Sequence, residues 1–166
     1  MNIKKLALLG GKPLIRKSQL KPYKSLSTDE LKAVGDVVKS NCLSGFYGSW
    51  EDGFLGGPKV KLFEKKWSDI FKSKFSITVN SNTSGLYAAV GAVGVSPGDE
   101  VIVPCTTMSA TAMAPLIYGG IPVFADIDPD TFCIDVNEVK SLINKKTKAI
   151  IAVNLFGHPA ELKKLK

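Results

Sequence analysis

Phe75-Ser76-Ile77-Thr78-Val79-Asn80, Ser81-Asn82-Thr83-Ser84-Gly85 and Leu86-Tyr87-Ala88-Ala89-Val90-Gly91-Ala92-Val93 follow one another without a break, and their reading decides the fold. The first piece is rich in β-branched and aromatic residues and predicts a strand. The last places Leu86, Ala89, Val90 and Val93 on one face of a helix. Between them lie hydroxyl and amide side chains and a glycine. A strand that opens through such residues straight into a helix leaves backbone N–H groups unpaired and aimed at one spot. Those groups and the helix dipole attract an anion, above all a phosphate. Thr83 and Ser84 would add hydroxyl donors. The same residue types also serve as plain helix caps, so the surrounding chain has to decide between the two readings.

Downstream the pattern repeats. Gly94 can end the helix, Ser96-Pro97-Gly98-Asp99 is a turn, and Val101–Pro104 reads as a buried strand. A helix is expected from Thr106, ending at Gly119-Gly120, then a strand over Ile121–Ile127. Asp128–Thr131 is a turn and Phe132–Asp135 a short extended piece. Asp135 and Glu138 start a helix that ends near Ile143. Asn144–Lys148 is a loop, Ala149–Asn154 a buried strand, and Pro159 suits the first turn of a further helix. Strand and helix in alternation predict the α/β class, a three-layer α/β/α sandwich around a mostly parallel sheet. Sheets of this kind gather ligands at the carboxyl ends of their strands. No Gly-x-Gly-x-x-Gly follows a strand, which argues against a dinucleotide site.

Upstream, residues 1–58 form an N-terminal segment, and residues 59–166 the N-terminal part of the sheet-bearing domain. Ser27-Thr28-Asp29-Glu30 carries a capping-box pattern for a helix running to about Ser40. Residues 41–58 hold five glycines with Phe46, Tyr47, Trp50 and Phe54, a composition that fits a lid or subunit contact as well as a loop plugged onto the core. Lys59–Phe71 is amphipathic, with Val60, Phe63, Trp67, Ile70 and Phe71 on one side.

The chain has 166 residues and is 45% hydrophobic, ample for one core. Its formal charge is +7, but the lysines are scattered in pairs and Arg16 is the only arginine. Solvated faces explain that pattern better than a nucleic-acid interface, while the same field suits a phosphate-bearing substrate. Cys42, Cys105 and Cys133 have no paired spacing, so neither a disulfide framework nor a metal site is expected, and reduced thiols point to the cytoplasm. Cys105 is expected to be a buried bystander beside the site. His158, the only histidine, is expected to be structural, since no partner is visible in the sequence. No apolar run reaches the length of a membrane span.

Four stretches together carry a resemblance. Ser81-Asn-Thr-Ser-Gly-Leu86, Pro97-Gly-Asp-Glu-Val-Ile-Val-Pro104, Gly119-Gly-Ile-Pro-Val-Phe-Ala-Asp126 and Asn154-Leu-Phe-Gly157 stand in the order and spacing of the DegT/StrS-type aminotransferases, and the chain resembles that family from Gly10 to Leu165. The resemblance implies the large domain of a type I aminotransferase-like fold that binds pyridoxal 5′-phosphate (PLP). It implies amino transfer from a small amino donor to a keto sugar, often nucleotide-linked, or a keto cyclitol, in a homodimer. It puts the cofactor phosphate on Thr83 and Ser84, with Asn82 beside them. Met108 stands where many relatives stack a Phe or Trp on the cofactor ring; a thioether can pack there, or simply fill core. Thr111 lies within reach of the same pocket. Asn154, a histidine in many relatives, would face the substrate, as would Ser44 and Gly45.

The resemblance also implies relatives more than twice as long, so the chain reads as an N-terminal portion. The carboxylate that pairs with the cofactor nitrogen and the Schiff-base lysine would lie beyond Lys166, leaving no catalytic residue within residues 1–166. A sugar dehydratase of the same fold, with histidine in place of that lysine, fits the same motifs. A non-catalytic truncated chain is the reading from another class.

Overall fold

The computed structural model describes residues 5–15, 19–20, 22–43, 48, 50 and 53–166. Ser44 and Gly45 lie outside the described residues, as do Phe46 and Tyr47 of the glycine-rich loop. The chain divides into two compact units, Met1–Ser76 and Ile77–Lys166.

The first unit is helical. After a 3₁₀ turn at Ala7–Leu9 come α1 (Thr28–Lys39) and α2 (Pro58–Phe71). The capping box forms as expected: the Ser27 hydroxyl accepts from the Asp29 N–H, and the Glu30 carboxylate accepts from the Ser27 N–H at 2.7 Å. Asn41, just past α1, has φ +53°, the left-handed turn that stops a helix. On α2, Phe63, Trp67 and Phe71 form a ladder, with ring centroids 5.8 and 4.5 Å apart, from the i, i+4 spacing that brings side chains together on a helix. Trp50 and Phe54 stack at 4.2 Å.

The second unit carries the sheet. Its elements are α3 (Asn82–Val93), β1 (Glu100–Pro104), α4 (Ser109–Leu116), β2 (Ile121–Ala125), α5 (Val136–Leu142), β3 (Thr147–Ile150), a 3₁₀ turn at Leu155–Gly157 and α6 (Leu162–Leu165). The three strands are parallel in the order β2-β1-β3. Glu100 stands opposite Ile121 on one side and Thr147 on the other, with one irregularity between Glu100 and Val101. From β1 the chain passes through α4 to one neighbour, then through α5 across to the other. Crossovers of one hand that run in opposite directions must cover opposite faces of a sheet.

The core shows this division residue by residue. Val101 and Val103 pack with Val90, Val95 and Ala114 on the α3/α4 side, while Ile102 packs with Ala125, Ile134 and Val139 on the α5 side. The period-two alternation of a strand sends successive residues to opposite faces. A central strand covered on both faces therefore reads as a continuous apolar run. Val101, Ile102 and Val103 are fully buried, each contributing about 1.5–3 kcal/mol of transfer free energy. This is the α/β layering expected from the sequence.

Several boundaries differ from the sequence expectation. Phe75–Asn80 is not part of the three-stranded sheet, and Ile77 is 84% exposed. Its composition suits a strand, but a strand exists only where a neighbour offers a ladder. β3 spans Thr147–Ile150 rather than Ala149–Asn154, because pairing to β1 follows register and starts opposite Glu100. β2 stops at Ala125, and Ile127 instead makes an antiparallel bridge to Ile134. The helix expected from Thr106 begins at Ser109, with Met108 extended at its N-cap position. Pro159 precedes α6 by three residues and is outside its first turn. On α3 the packed face is Leu86, Tyr87 and Val90; Ala89 is exposed, and so is Val93.

Candidate functional site

α3 ends at Gly94, with φ +80°. The chain then turns through Ser96–Asp99, where the Asp99 N–H donates to the Ser96 carbonyl at 3.0 Å, and enters β1 at Glu100. The C-terminal end of α3 is thus tied to the beginning of β1. α3 is about 18 Å long and runs back along the sheet, packing Val90 against Val101 and Val103. Its N-terminus therefore comes to the carboxyl edge of the strands, where sheets of this class bind ligands.

Ser81 caps that terminus: its Oγ accepts from the Ser84 N–H at 3.1 Å. The Ser84 hydroxyl donates to Asn80 Oδ1 at 2.6 Å and lies 3.0 Å from Ser81 Oγ. The Gly85 N–H goes to the Ser81 carbonyl. Among the described residues no hydrogen bond occupies the N–H groups of Asn82 and Thr83. Thr83 and Ser84 are half-buried, and Asn82 is exposed. The tip thus combines two unused amide donors, two hydroxyls and the positive end of a helix dipole. No carboxylate occurs from Asn80 to Ser84. That donor chemistry fits a phosphate.

The segments leaving β1, β2 and β3 share the same edge. Met108 is 77% exposed at the start of α4. Thr111 is only 4% exposed, and its hydroxyl is 2.8 Å from that of Thr107. Asn154 is exposed, with Oδ1 accepting from the Ala160 N–H at 2.9 Å, so part of its amide is committed to holding the chain before α6. Cys105 is exposed rather than buried: the strand alternation ends at Pro104, and the thiol donates to Asp126 Oδ1 at 3.6 Å. Asn80, Thr107 and Asp126 were not singled out from the sequence. Asn80 could have been, as a polar residue four positions before Ser84.

A hollow of about 570 Å³ lies between the Asp128–Asn137 segment and the residues from His158 to Lys164. Asp128 sits in it below its ordinary pKa. The Thr131 N–H bound to its carboxylate is the main cause, and nearby His158 adds a little. The Thr131 and Asp130 N–H groups reach Asp128 Oδ1 at 2.8 and 3.1 Å, which makes this carboxylate a turn-former. The His158 carbonyl accepts from the buried Cys133 thiol at 3.4 Å. Among the described residues no cluster of His, Cys, Asp and Glu could hold a metal ion, and no helix is long and apolar enough to cross a membrane.

The family model of the DegT/DnrJ/EryC1/StrS aminotransferases matches residues 47–166. The chain belongs to this aminotransferase family. It is similar to the 3-oxo-glucose-6-phosphate:glutamate aminotransferase of Bacillus subtilis strain 168, at 37% identity over 113 residues, covering 68% of this chain and 26% of that one. The fold matches Spr1654 of Streptococcus pneumoniae, solved in PLP and PMP forms and assigned as a sugar aminotransferase. The TM-score is 0.75 and the identity 31%, over 85% of this chain and 33% of that one. It also matches a GDP-4-keto-6-deoxymannose-3-dehydratase solved with a trapped PLP–glutamate species, at TM-score 0.74 and 28% identity, covering 86% and 36% of the two chains. The chain thus spans about a quarter to a third of the length of these relatives. Across the DegT/DnrJ/EryC1/StrS match lie the α3 tip and all three strand ends.

Proposed function

We propose that this chain is the N-terminal part of a PLP-dependent aminotransferase acting on a keto sugar, and that it carries the phosphate-binding half of the cofactor site. The observation that supports this reading is the α3 tip: two unoccupied amides and two hydroxyls at the carboxyl edge of a parallel sheet, in a family whose relatives are solved in PLP form. Thr83 and the N–H groups of Asn82 and Thr83 would grip the phosphate, and Ser84 would join them. Met108, exposed at the head of α4, would lie against the cofactor ring. Thr111 would have to trade its bond to Thr107 to take part. Asn154 would face the substrate. When bound, PLP supplies the electron sink on which amino transfer depends; these residues hold and orient it. The Schiff-base lysine and the carboxylate that tunes the ring belong, in this proposal, to a segment outside residues 1–166. The whole enzyme would be a cytoplasmic homodimer taking its amino group from a small amino donor.

A dehydratase of the same fold is the second reading, favoured by the nearly equal match to the keto-deoxymannose dehydratase. The coding frame downstream of codon 166 separates the two: a lysine at the Schiff-base position supports the aminotransferase, a histidine the dehydratase. The cofactor reading itself is tested by calorimetric titration of the chain with 4-deoxypyridoxine 5′-phosphate, an analogue without the reactive aldehyde. The phosphorylated analogue should bind, the unphosphorylated one should not, and T83A/S84A should weaken binding about tenfold or more, given the strength of hydrogen bonds to a charged group. Equal binding of both analogues would refute the assignment.

A further inference from the structure

The hydrogen bonds at the α3 tip form a closed set once their protons are counted. A serine hydroxyl has one proton to give. Ser84 gives its proton to Asn80 Oδ1, at 2.6 Å. The 3.0 Å contact between the Ser81 and Ser84 hydroxyls must then be donated by Ser81. Ser81 Oγ in turn accepts the Ser84 N–H. Every proton on Ser81 Oγ, Ser84 Oγ and Ser84 N therefore points into the turn. What Ser84 presents outward is a lone pair, which disfavours the anion that the neighbouring amides of Asn82 and Thr83 attract.

We infer that Asn80 is a positioning residue that opposes phosphate binding: it holds the Ser84 hydroxyl proton, and an incoming phosphate must take that proton from it. The inference rests on the phosphate reading of the tip and deepens it, because it gives the site a built-in competitor. Asn80 is exposed and needs no contact with the ligand to act. Deleting its side chain frees the Ser84 proton for the phosphate, so phosphate affinity rises. A purely structural role has the opposite sign: loosening the turn would spread the donors and lower affinity. Replacing the amide with a carboxylate makes a stronger acceptor and adds like charge near the phosphate, so affinity falls.

The test is a titration of the ¹⁵N-labelled chain with 4-deoxypyridoxine 5′-phosphate, followed by the amide shifts of Asn82 and Thr83. The wild-type chain should show saturable shifts at both amides. N80A should bind about two- to tenfold tighter, the range set by one neutral hydrogen bond, and N80D more weakly than wild type. Should N80A fail to fold, N80D keeps the size of the side chain and its weakening decides. Wild-type binding at these amides with N80A unchanged or weaker, or with N80D unchanged or tighter, overturns the role of Asn80 and leaves the phosphate site standing. No shift at Asn82 and Thr83 in the wild type overturns the site and this inference together.

Discussion

Gly91 lies in the last turn of α3, where a glycine costs up to about 1 kcal/mol relative to alanine. On helix propensity alone Gly91→Ala should stabilise the protein. The structure predicts the reverse. The Tyr118 ring crosses α3 at this residue, and its hydroxyl donates to the Tyr87 carbonyl at 2.9 Å. A Cβ at position 91 would sit 2.7 Å from Tyr118 Cζ and 3.1 Å from Cε1. The ring must move, at an overpacking cost of about 1–3 kcal/mol. Moving it also strains or breaks a half-buried hydrogen bond that contributes about 0.5–1.5 kcal/mol. Set against the propensity gain, Gly91→Ala should destabilise by about 1–3 kcal/mol. In a Tyr118→Leu background the obstacle is gone, and the same substitution should stabilise by about 1 kcal/mol. Urea unfolding followed by circular dichroism at 222 nm, on the four proteins of this double-mutant cycle, reads both numbers. Equal effects in the two backgrounds, or stabilisation in the presence of Tyr118, would refute the packing argument.

Two further outcomes follow from other parts of the chain. Asp128 has its pKa lowered from the ordinary value near 3.8, so its stabilising contribution is complete above that value and is lost as pH falls through the lower folded value. Acid unfolding monitored below about pH 4 should therefore be less steep in Asp128→Asn, and an unchanged profile would remove Asp128 from the acid response. Treatment with PLP and borohydride should leave no stoichiometric pyridoxyl-lysine on residues 1–166; mass spectrometry finding one fully labelled lysine would overturn the placement of the Schiff base elsewhere.

The layers of the fold were legible because burial on both sides writes itself into composition. Val101-Ile102-Val103 could hardly be anything but a central strand, and the capping box at Ser27 fixed one helix start to the residue; α3, read from Leu86, starts four residues earlier at Asn82. What failed was anything decided by a distant partner. Phe75–Asn80 has a strand's residues but stands outside the sheet, and β3 is offset by its register with β1. Cys105 looked buried because it follows a buried strand, yet the first residue past Pro104 already faces solvent. The turn alone left Thr83 and Ser84 open to a plain capping role, and the motifs that follow it made them phosphate-binding candidates. That Asn80 already holds Ser84's proton depends on side-chain geometry that spacing does not encode.

The strand order has a consequence for how the chain is made. β1 meets β2 in register with Glu100 opposite Ile121, whereas its other neighbour begins at Thr147. At ribosomal rates of about 5–20 residues per second, β3 emerges about 1–5 seconds after β2. The loop it closes is longer by only about 0.7 kcal/mol of entropy, so the delay is one of synthesis and not of thermodynamics. In the first part of that interval a nascent β1–α4–β2 crossover unit can form, while Ile102 and Ala125 still wait for Ile134 and Val139 to cover them. Translation speed over codons 126–142 sets how long that apolar face stays open to chaperones and to other nascent chains.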